Sequence, residues 1–321
     1  MPIIGNTYDT LLDHALRTDP NGSLPEIVKL IDQVNELDDI PVIRGNLETG
    51  VLTVRRIGLP EITRRKVNQG VKPSKQKTDQ ITDTAITYES HSVVDFDELA
   101  IAEDKKGERL QIAGSHLQAM AEARASDMFY GKASDGAFNG FATHYNKIGE
   151  QVIDAKGTSN LSSVFCIGWA PNTITSFYPK NSTTAGIIHM PSEKPERVPA
   201  PDGSNTFMMA YTDVFKWMTG LAVRNYKFGS RIANLDIENT AINDLVALFI
   251  KAKNRLPSLK VCMPRFYCNE TIYTALEIAA VNKANVNLTI ERLENDTKIL
   301  SILGIPIRRI DALKNNETKV V

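Results

Sequence analysis

The side chains that could do chemistry are few and scattered along the chain. The histidines, His14, His91, His116, His144 and His189, form neither an H-x-H pair nor an H-E-x-x-H helix motif, so no metal site is signalled. Ser115 and His116 are adjacent, but neighbours on a helix point about 100° apart and cannot serve as nucleophile and base. There is no G-x-S-x-G elbow. Gly131-Lys132-Ala133-Ser134 is superficially a phosphate loop, yet it follows a predicted helix instead of opening one, so no helix N-terminus would face the phosphate. Cys166, Cys262 and Cys268 lack close C-x-x-C pairing and read as buried, reduced thiols. Asp95, Asp97, Glu98, Glu103 and Asp104 gather carboxylates without EF-hand spacing or its glycine turn. They read as a charged protein–protein surface. No catalytic, cofactor or metal site is expected.

Composition narrows the class further. The chain has 321 residues, 42% apolar and 23% charged, which is an ordinary globular balance. At this length roughly three quarters of the unfolded surface can be buried without disulfides or a metal. Lys and Arg number 37 against 38 Asp and Glu, so the cationic surplus of a dedicated nucleic-acid binder is missing. The start, MPIIGNTYDTLLDH, has no basic segment and is not read as a signal peptide. No apolar run approaches the ~18 residues that cross a bilayer. A soluble intracellular protein is expected, with no membrane partner.

The elements that would position such groups follow from periodicity. Residues 1–40 read as two short helices; in the second, Ser23 and Glu26 have capping-box spacing and Ile27, Leu30, Ile31, Val34 and Leu37 form one stripe. So small a pair cannot cover that stripe by itself. A long helix is predicted from about Glu108 to Tyr130, with Leu110, Ala113, Leu117, Met120 and Met128 on one face and Gly131 at its C-terminus. Residues 162–178 read as two strands broken at Ala170-Pro171-Asn172, residues 193–205 as a proline-rich turn region, and residues 206–235 as long β-hairpin material. Thr240 is expected to cap a helix ended by Pro257, Asn269 to cap another, and residues 298–313 to form a strand, a turn and a strand. The class is α+β, with helices and antiparallel sheet segregated along the chain.

Residues 48–82 differ from the rest. Two β-compatible segments flank GLPEITRRKVNQGVKPSK, and the stretch carries Arg55, Arg56, Arg64, Arg65, Lys66, Lys72, Lys75 and Lys77 against only Glu61 and Asp79 between Val51 and Asp79. A strand–loop–strand excursion of this composition has no core of its own. It is expected to project and to find its energetic partner on another surface.

Several blocks then resemble a known family, the major capsid proteins of tailed bacteriophages with the Hong Kong 97-type fold. IPVIRGNLETGVLTVRRIGLPEITRRKVNQGV is similar to the strand and tip of that family's extended loop, and ASDMFYGKASDGAFNGFATHYN to the end of its spine helix and the glycine–aromatic loop after it. SSVFCIGWAPNTITSFYPK and WMTGLAVRNYKFGSRIANLD resemble sheet segments, while NDLVALFIKAKNRLP, MPRFYCNETIYTALE and GIPIRRIDAL resemble axial-domain elements. The resemblance runs from about residue 40 to residue 313.

It implies a structural protein with an N-terminal arm (1–45), an extended loop (46–82), a peripheral domain on the spine helix (83–235) and an axial domain with C-terminal strands (236–321). Such subunits form pentamers and hexamers that close into an icosahedral virion shell around double-stranded DNA, assembled in the host cytoplasm. Portal, scaffolding and decoration proteins are the implied partners, with scaffolding a separate protein because the arm begins almost at once. The cations of residues 55–77 would meet the acidic residues 95–104 of a neighbour, and near-zero net charge suits a container whose DNA is packed close without tight binding. Two alternatives are an encapsulin-like compartment and an α+β hydrolase assembled from Asp95, His144 and Ser163.

Overall fold

The computed structural model describes residues 35–37, 40–101, 105–182, 184–200, 206–281, 288–292 and 298–321. The helical pair expected in residues 1–40 therefore falls almost wholly outside the described residues. In chain order the strands are β1 (Val42–Arg44), β2 (Gly50–Gly58), β3 (Lys77–Thr84) and β4 (Ile86–Asp95), followed by helices α1 (Phe96–Ile101), α2 (Lys105–Tyr130) and α3 (Phe141–His144). Next come β5 (Val152–Asp154), β6 (Ser162–Trp169), β7 (Ile174–Tyr178), β8 (Ile188–Pro191), β9 (Glu196–Pro199), β10 (Phe207–Val223) and β11 (Gly229–Leu235). The chain ends with α4 (Ile242–Asn254), β12 (Met263–Cys268), α5 (Glu270–Val281), β13 (Leu288–Arg292), β14 (Lys298–Ile302) and β15 (Ile305–Arg309). Two compact units result: Thr87–Arg124 with Gly186–Met218, and Gln33–Ile86 with Ala125–Ala185 and Thr219–Val321.

The larger unit is built around β6, whose sequence SSVFCIGW is buried at every position. A strand covered on both faces needs this nearly continuous apolar run. β11 and β12 flank it, both antiparallel. The sheet is mixed, not antiparallel as expected: β12 pairs β15, β11 pairs β5 and β1 pairs β7, all in parallel. The crossover helix α5 makes the β12–β15 pairing possible, because parallel neighbours cannot be joined by a tight turn. β10 and β11 do not form the expected hairpin with each other. The backbone amides of Arg224 and Asn225 both donate to the Thr173 carbonyl, and a 3-10 turn follows at Tyr226–Phe228, so β11 emerges beside β6 while the end of β10 pairs β7.

Caps and turns are mixed in outcome. Asn269 Oδ1 accepts from the Ile272 amide at 3.0 Å, as its spacing predicts. Thr240 does not cap α4; its hydroxyl turns back to the Asp236 carbonyl, and Ala241 occupies the cap position. Leu303 and Gly304, at φ 51° and 75°, supply the two left-handed residues of a tight β14–β15 turn. Gly131 ends α2 for a different reason from a left-handed cap: a Cβ there would lie 2.4 Å from the Phe138 carbonyl oxygen and 2.5 Å from that of Asp127. The proline-rich stretch after residue 193 contains β9, which pairs β10.

Helix α2 does not bury the stripe predicted for it. Ala113, Met120 and Met128 are buried, but Leu110 is 74% and Leu117 37% exposed. Ile112 packs with Val94 and Leu99, Ala113 and Met120 with Phe215, and Met128 and Phe129 join the core of the larger unit. One helix serving different neighbours along its length does not keep a single apolar face.

A polar clamp fixes the C-terminal tail to the larger unit. The Arg231 guanidinium reaches Glu317 at 2.6 Å and donates to the Tyr145 carbonyl at 2.9 Å and to Ser163 Oγ at 3.0 Å. Tyr130 also donates to Glu317, and burial together with that carboxylate pushes its phenol well above the ordinary range. Asn234 exchanges hydrogen bonds with the Val320 backbone at 2.8 and 2.9 Å. The side chains of Arg231 and Glu317 are only 5% and 6% exposed, so removing one strands the other in low dielectric. Glu317→Ala is expected to cost about 3–5 kcal/mol. Denaturant unfolding tests this, and a loss below 1 kcal/mol, the range of an exposed pair, would contradict it.

Candidate functional site

The hairpin β2–β3 is the part of the larger unit whose purpose its own fold does not explain. Its register runs from Gly50 opposite Thr84 to Gly58 opposite Lys77, with a bulge at Ile57. Strand alternation places Val51, Thr53 and Arg55 with Asp79, Ile81 and Asp83 on one face. That face is the covered one: Val51 is fully buried against Phe177 and Ala222, and the others are half-buried. The opposite face, with Val54, Arg56, Gln80 and Thr82, is exposed.

The base of the hairpin is tightly built. Asn46 closes the turn into β2 by accepting from the Leu52 amide at 2.7 Å and donating to its carbonyl at 2.8 Å. Gly50 lies so close to the partner strand that a Cβ would meet the Asp83 carbonyl oxygen at 2.3 Å. Beside it, Thr53 Oγ1, Arg55 Nε, Asp83 Oδ2 and Arg224 Nε are buried without a hydrogen-bond partner among the described residues. Burial pushes the Asp83 carboxyl up to about 6, and the positive charges of Arg224 and Arg55 offset this only in part. Arg55 is otherwise engaged by Asp79 at 3.3 Å, and the Arg224 guanidinium donates to the Pro171 carbonyl at 2.9 Å.

Beyond Gly58 the chain changes character. Every residue from 59 to 76 is exposed. Leu59, Ile62 and Val67 are 77%, 90% and 89% exposed, in company with Arg64, Arg65, Lys66, Lys72 and Lys75. The loop has some internal order: Ser74 Oγ donates to the Glu61 carbonyl at 2.8 Å, and Asn68, at φ 67°, sits in a turn closed by the Gln69 amide on the Lys66 carbonyl. These bonds shape the loop without covering it.

The expected acidic residues are placed differently. Asp95 caps α1, accepting from the Asp97 amide at 2.8 Å, and Asp97 is exposed. Glu98 is 3% exposed and cannot belong to an open acidic surface, which corrects that expectation. Its place in the first turn of a short helix turns it inward beside the buried Leu99. Glu103 and Asp104 lie outside the described residues.

The groups considered for catalysis are otherwise occupied. Ser163 is buried, donating to Glu317 and accepting from Arg231. His116 shares a hydrogen bond with Ser90, His189 with Asp213 and His91 with Glu89. Burial pushes the His144 imidazole pKa down, and it pushes the thiols of Cys166 and Cys268 far up, so neither cysteine forms a thiolate readily. No cluster of three or more metal-ligating side chains occurs among the described residues, and no described helix is long and apolar enough to cross a membrane. What the described residues present here is an open surface of cations and aliphatic side chains. Reading β3 at period two would have found Asp79, Ile81 and Asp83 on one face. Arg224 and the Arg231–Glu317 pair carry no local signal.

A family model described as Major capsid protein GP7 matches residues 19–321. No curated protein matches the chain. A chain in the structure of bacteriophage Epsilon15 is 29% identical, with 100% of this chain and 99% of that one covered, at a TM-score of 0.78. A chain of the bacteriophage JBD30 capsid is 14% identical, covering 97% and 96%, at a TM-score of 0.48.

The sign of the Asp83 shift gives a test of the hairpin base. Its folded pKa is raised from 3.8 to about 6, so between those values the folded chain keeps a proton that the unfolded chain has lost. Stability therefore falls as pH rises through that window, opposite to a salt-bridged carboxylate. Asp83→Asn is expected to stabilise the chain by about 1–3 kcal/mol at pH 7.5 and hardly at all at pH 4. Thermal unfolding across this range checks it; an equal effect at both ends would contradict the assignment.

Proposed function

The chain belongs to the family of Major capsid protein GP7, with the α+β Hong Kong 97-type capsid fold, and from that premise we propose that it closes with identical copies into an icosahedral phage head. It is a structural protein, not an enzyme. The observation that carries the reading is the match of the family over residues 19–321, together with a full-length likeness to the Epsilon15 chain. On this proposal residues 1–45 form the arm, 46–82 the extended loop, 83–235 the peripheral domain and 236–321 the axial domain. Subunits group as pentamers and hexamers, assemble in the host cytoplasm, and enclose double-stranded DNA with portal, scaffolding and decoration proteins as partners.

The mechanism follows from the exposed loop. Residues 59–76 lie over an adjoining copy, where Arg64, Arg65, Lys66, Lys72 and Lys75 face its acidic surface, Asp95 and Asp97 among it. Arg56 and Lys77 flank the contact, and Arg55 stays with its own Asp79. Each exposed ion pair is worth ~0–1 kcal/mol, so the shell depends on symmetry repeating many weak contacts, with apolar burial added. Weak single contacts let a misplaced subunit leave before closure.

Reversing Arg64, Arg65 and Lys66 to Glu tests the loop. At roughly 0.5 kcal/mol per contact, three reversals weaken each pairwise association about tenfold. Electron microscopy and sedimentation should then show fewer particles and a higher threshold concentration. Unchanged particle yield would refute the loop's role.

A further inference from the structure

We propose that a groove beside α2 receives the apolar side chains of residues 59–67 from a second copy of this chain. The proposal rests on the reading that the loop lies on a neighbour and names where it seats. The groove, of about 640 Å³, lies within the smaller unit and is lined by Leu110, Leu117, Ile187, Pro191, Phe215 and Trp217, among others. Its size is that of a small-ligand site, enough for a few aliphatic side chains.

Its polar groups are already satisfied. Asp213 accepts two hydrogen bonds from Arg109, at 3.0 and 2.9 Å, and makes a third with His189 at 2.9 Å. Phe215 stacks against both His189 and His116, at centroid distances of 4.6 and 5.6 Å. With its one carboxylate paired, the groove suits aliphatic side chains and gives a cation nothing to gain. The unit needs cover here: its buried apolar clusters are small, Val94 with Leu99 and Ile112, and Ala113 with Met120 and Phe215. Leu110 and Leu117 are left open on the helix face that the groove follows.

The same chain presents the counterpart. Leu59, Ile62 and Val67 are the most exposed large apolar residues of the hairpin and its loop, and no described element covers them. Two open apolar surfaces on every copy, one convex and one concave, are both covered when copies associate head to tail around a ring. The smaller unit also carries Asp95 and Asp97, so the loop's cations would find acidic surface on the unit whose groove takes its aliphatic residues. The groove and Asp95 and Asp97 thus belong to one and the same unit.

Two single variants, Ile62→Cys and Leu117→Cys, test the assignment, since both positions are exposed and the three native cysteines are buried. Each is produced separately, one with ¹⁵N, and each is doped at about one subunit in ten into wild-type chain, so that assembly does not depend on them. Particles are treated with a short bis-maleimide, and linked peptides are read by mass spectrometry. The expected result is a link between positions 62 and 117 joining labelled to unlabelled chains. Val67→Cys serves as a second loop probe and should link to position 117 as well. Absence of any such link in assembled particles would overturn the assignment. So would position 117 linked only to position 117 of another copy or to a cysteine of another protein. Charge reversal at residues 64–66 reads the loop's role separately, so a loop that matters but seats elsewhere is distinguished from one that does not matter.

Discussion

A two-stranded ribbon closed by an entirely exposed loop cannot supply its own hydrophobic cover. That constraint organises the molecule. Two strands alone are marginal in water, and among the described residues this pair has its buried apolar contact at its root, where Val51 meets Phe177 and Ala222. Beyond Gly58 the chain puts branched aliphatic residues and cations into solvent together. Burying one such side chain gives roughly 1.5–3 kcal/mol, more than an exposed ion pair returns. On the proposed contact between copies, the aliphatic residues would supply most of the attraction and the charges would direct it.

The rest of the larger unit keeps that root rigid. β6 and β11 are buried throughout, and the tail is fastened by Glu317 to Arg231 and by Val320 to Asn234. Polar groups are buried where they define a single arrangement, and Asp83 shows the cost of doing so incompletely. Its carboxyl sits near two guanidinium groups and still holds its proton to about pH 6. In the larger unit these buried polar groups set geometry.

Much of this was legible in the sequence, for reasons that differ by element. The run SSVFCIGW followed by a proline turn announces a buried strand and a break, and Asn269 before an apolar 3.6-residue repeat announces a capped helix. The loop was legible through composition, because many cations with only a few scattered apolar residues among them cannot make a core. What periodicity missed depends on tertiary partners. Leu110 and Leu117 fit the helical stripe as well as Ala113 does, but which of them is covered depends on where Phe215 falls along β10. The parallel pairing of β12 with β15 requires knowing that α5 crosses between them. Glu98 belongs to an acidic run in the sequence and to the interior in the fold.

Hydrogen–deuterium exchange, compared between unassembled chain and closed particles, tests most directly whether identical copies provide the missing cover. Apart from the Lys66 and Gln69 amides, few backbone groups of residues 59–76 have a partner among the described residues. In unassembled protein these amides should exchange at nearly the rate of an open peptide, and assembly should slow them at least tenfold, while β6 and β11 are protected in both states. Loop amides already protected in the solitary chain, or unchanged by assembly, would contradict the account.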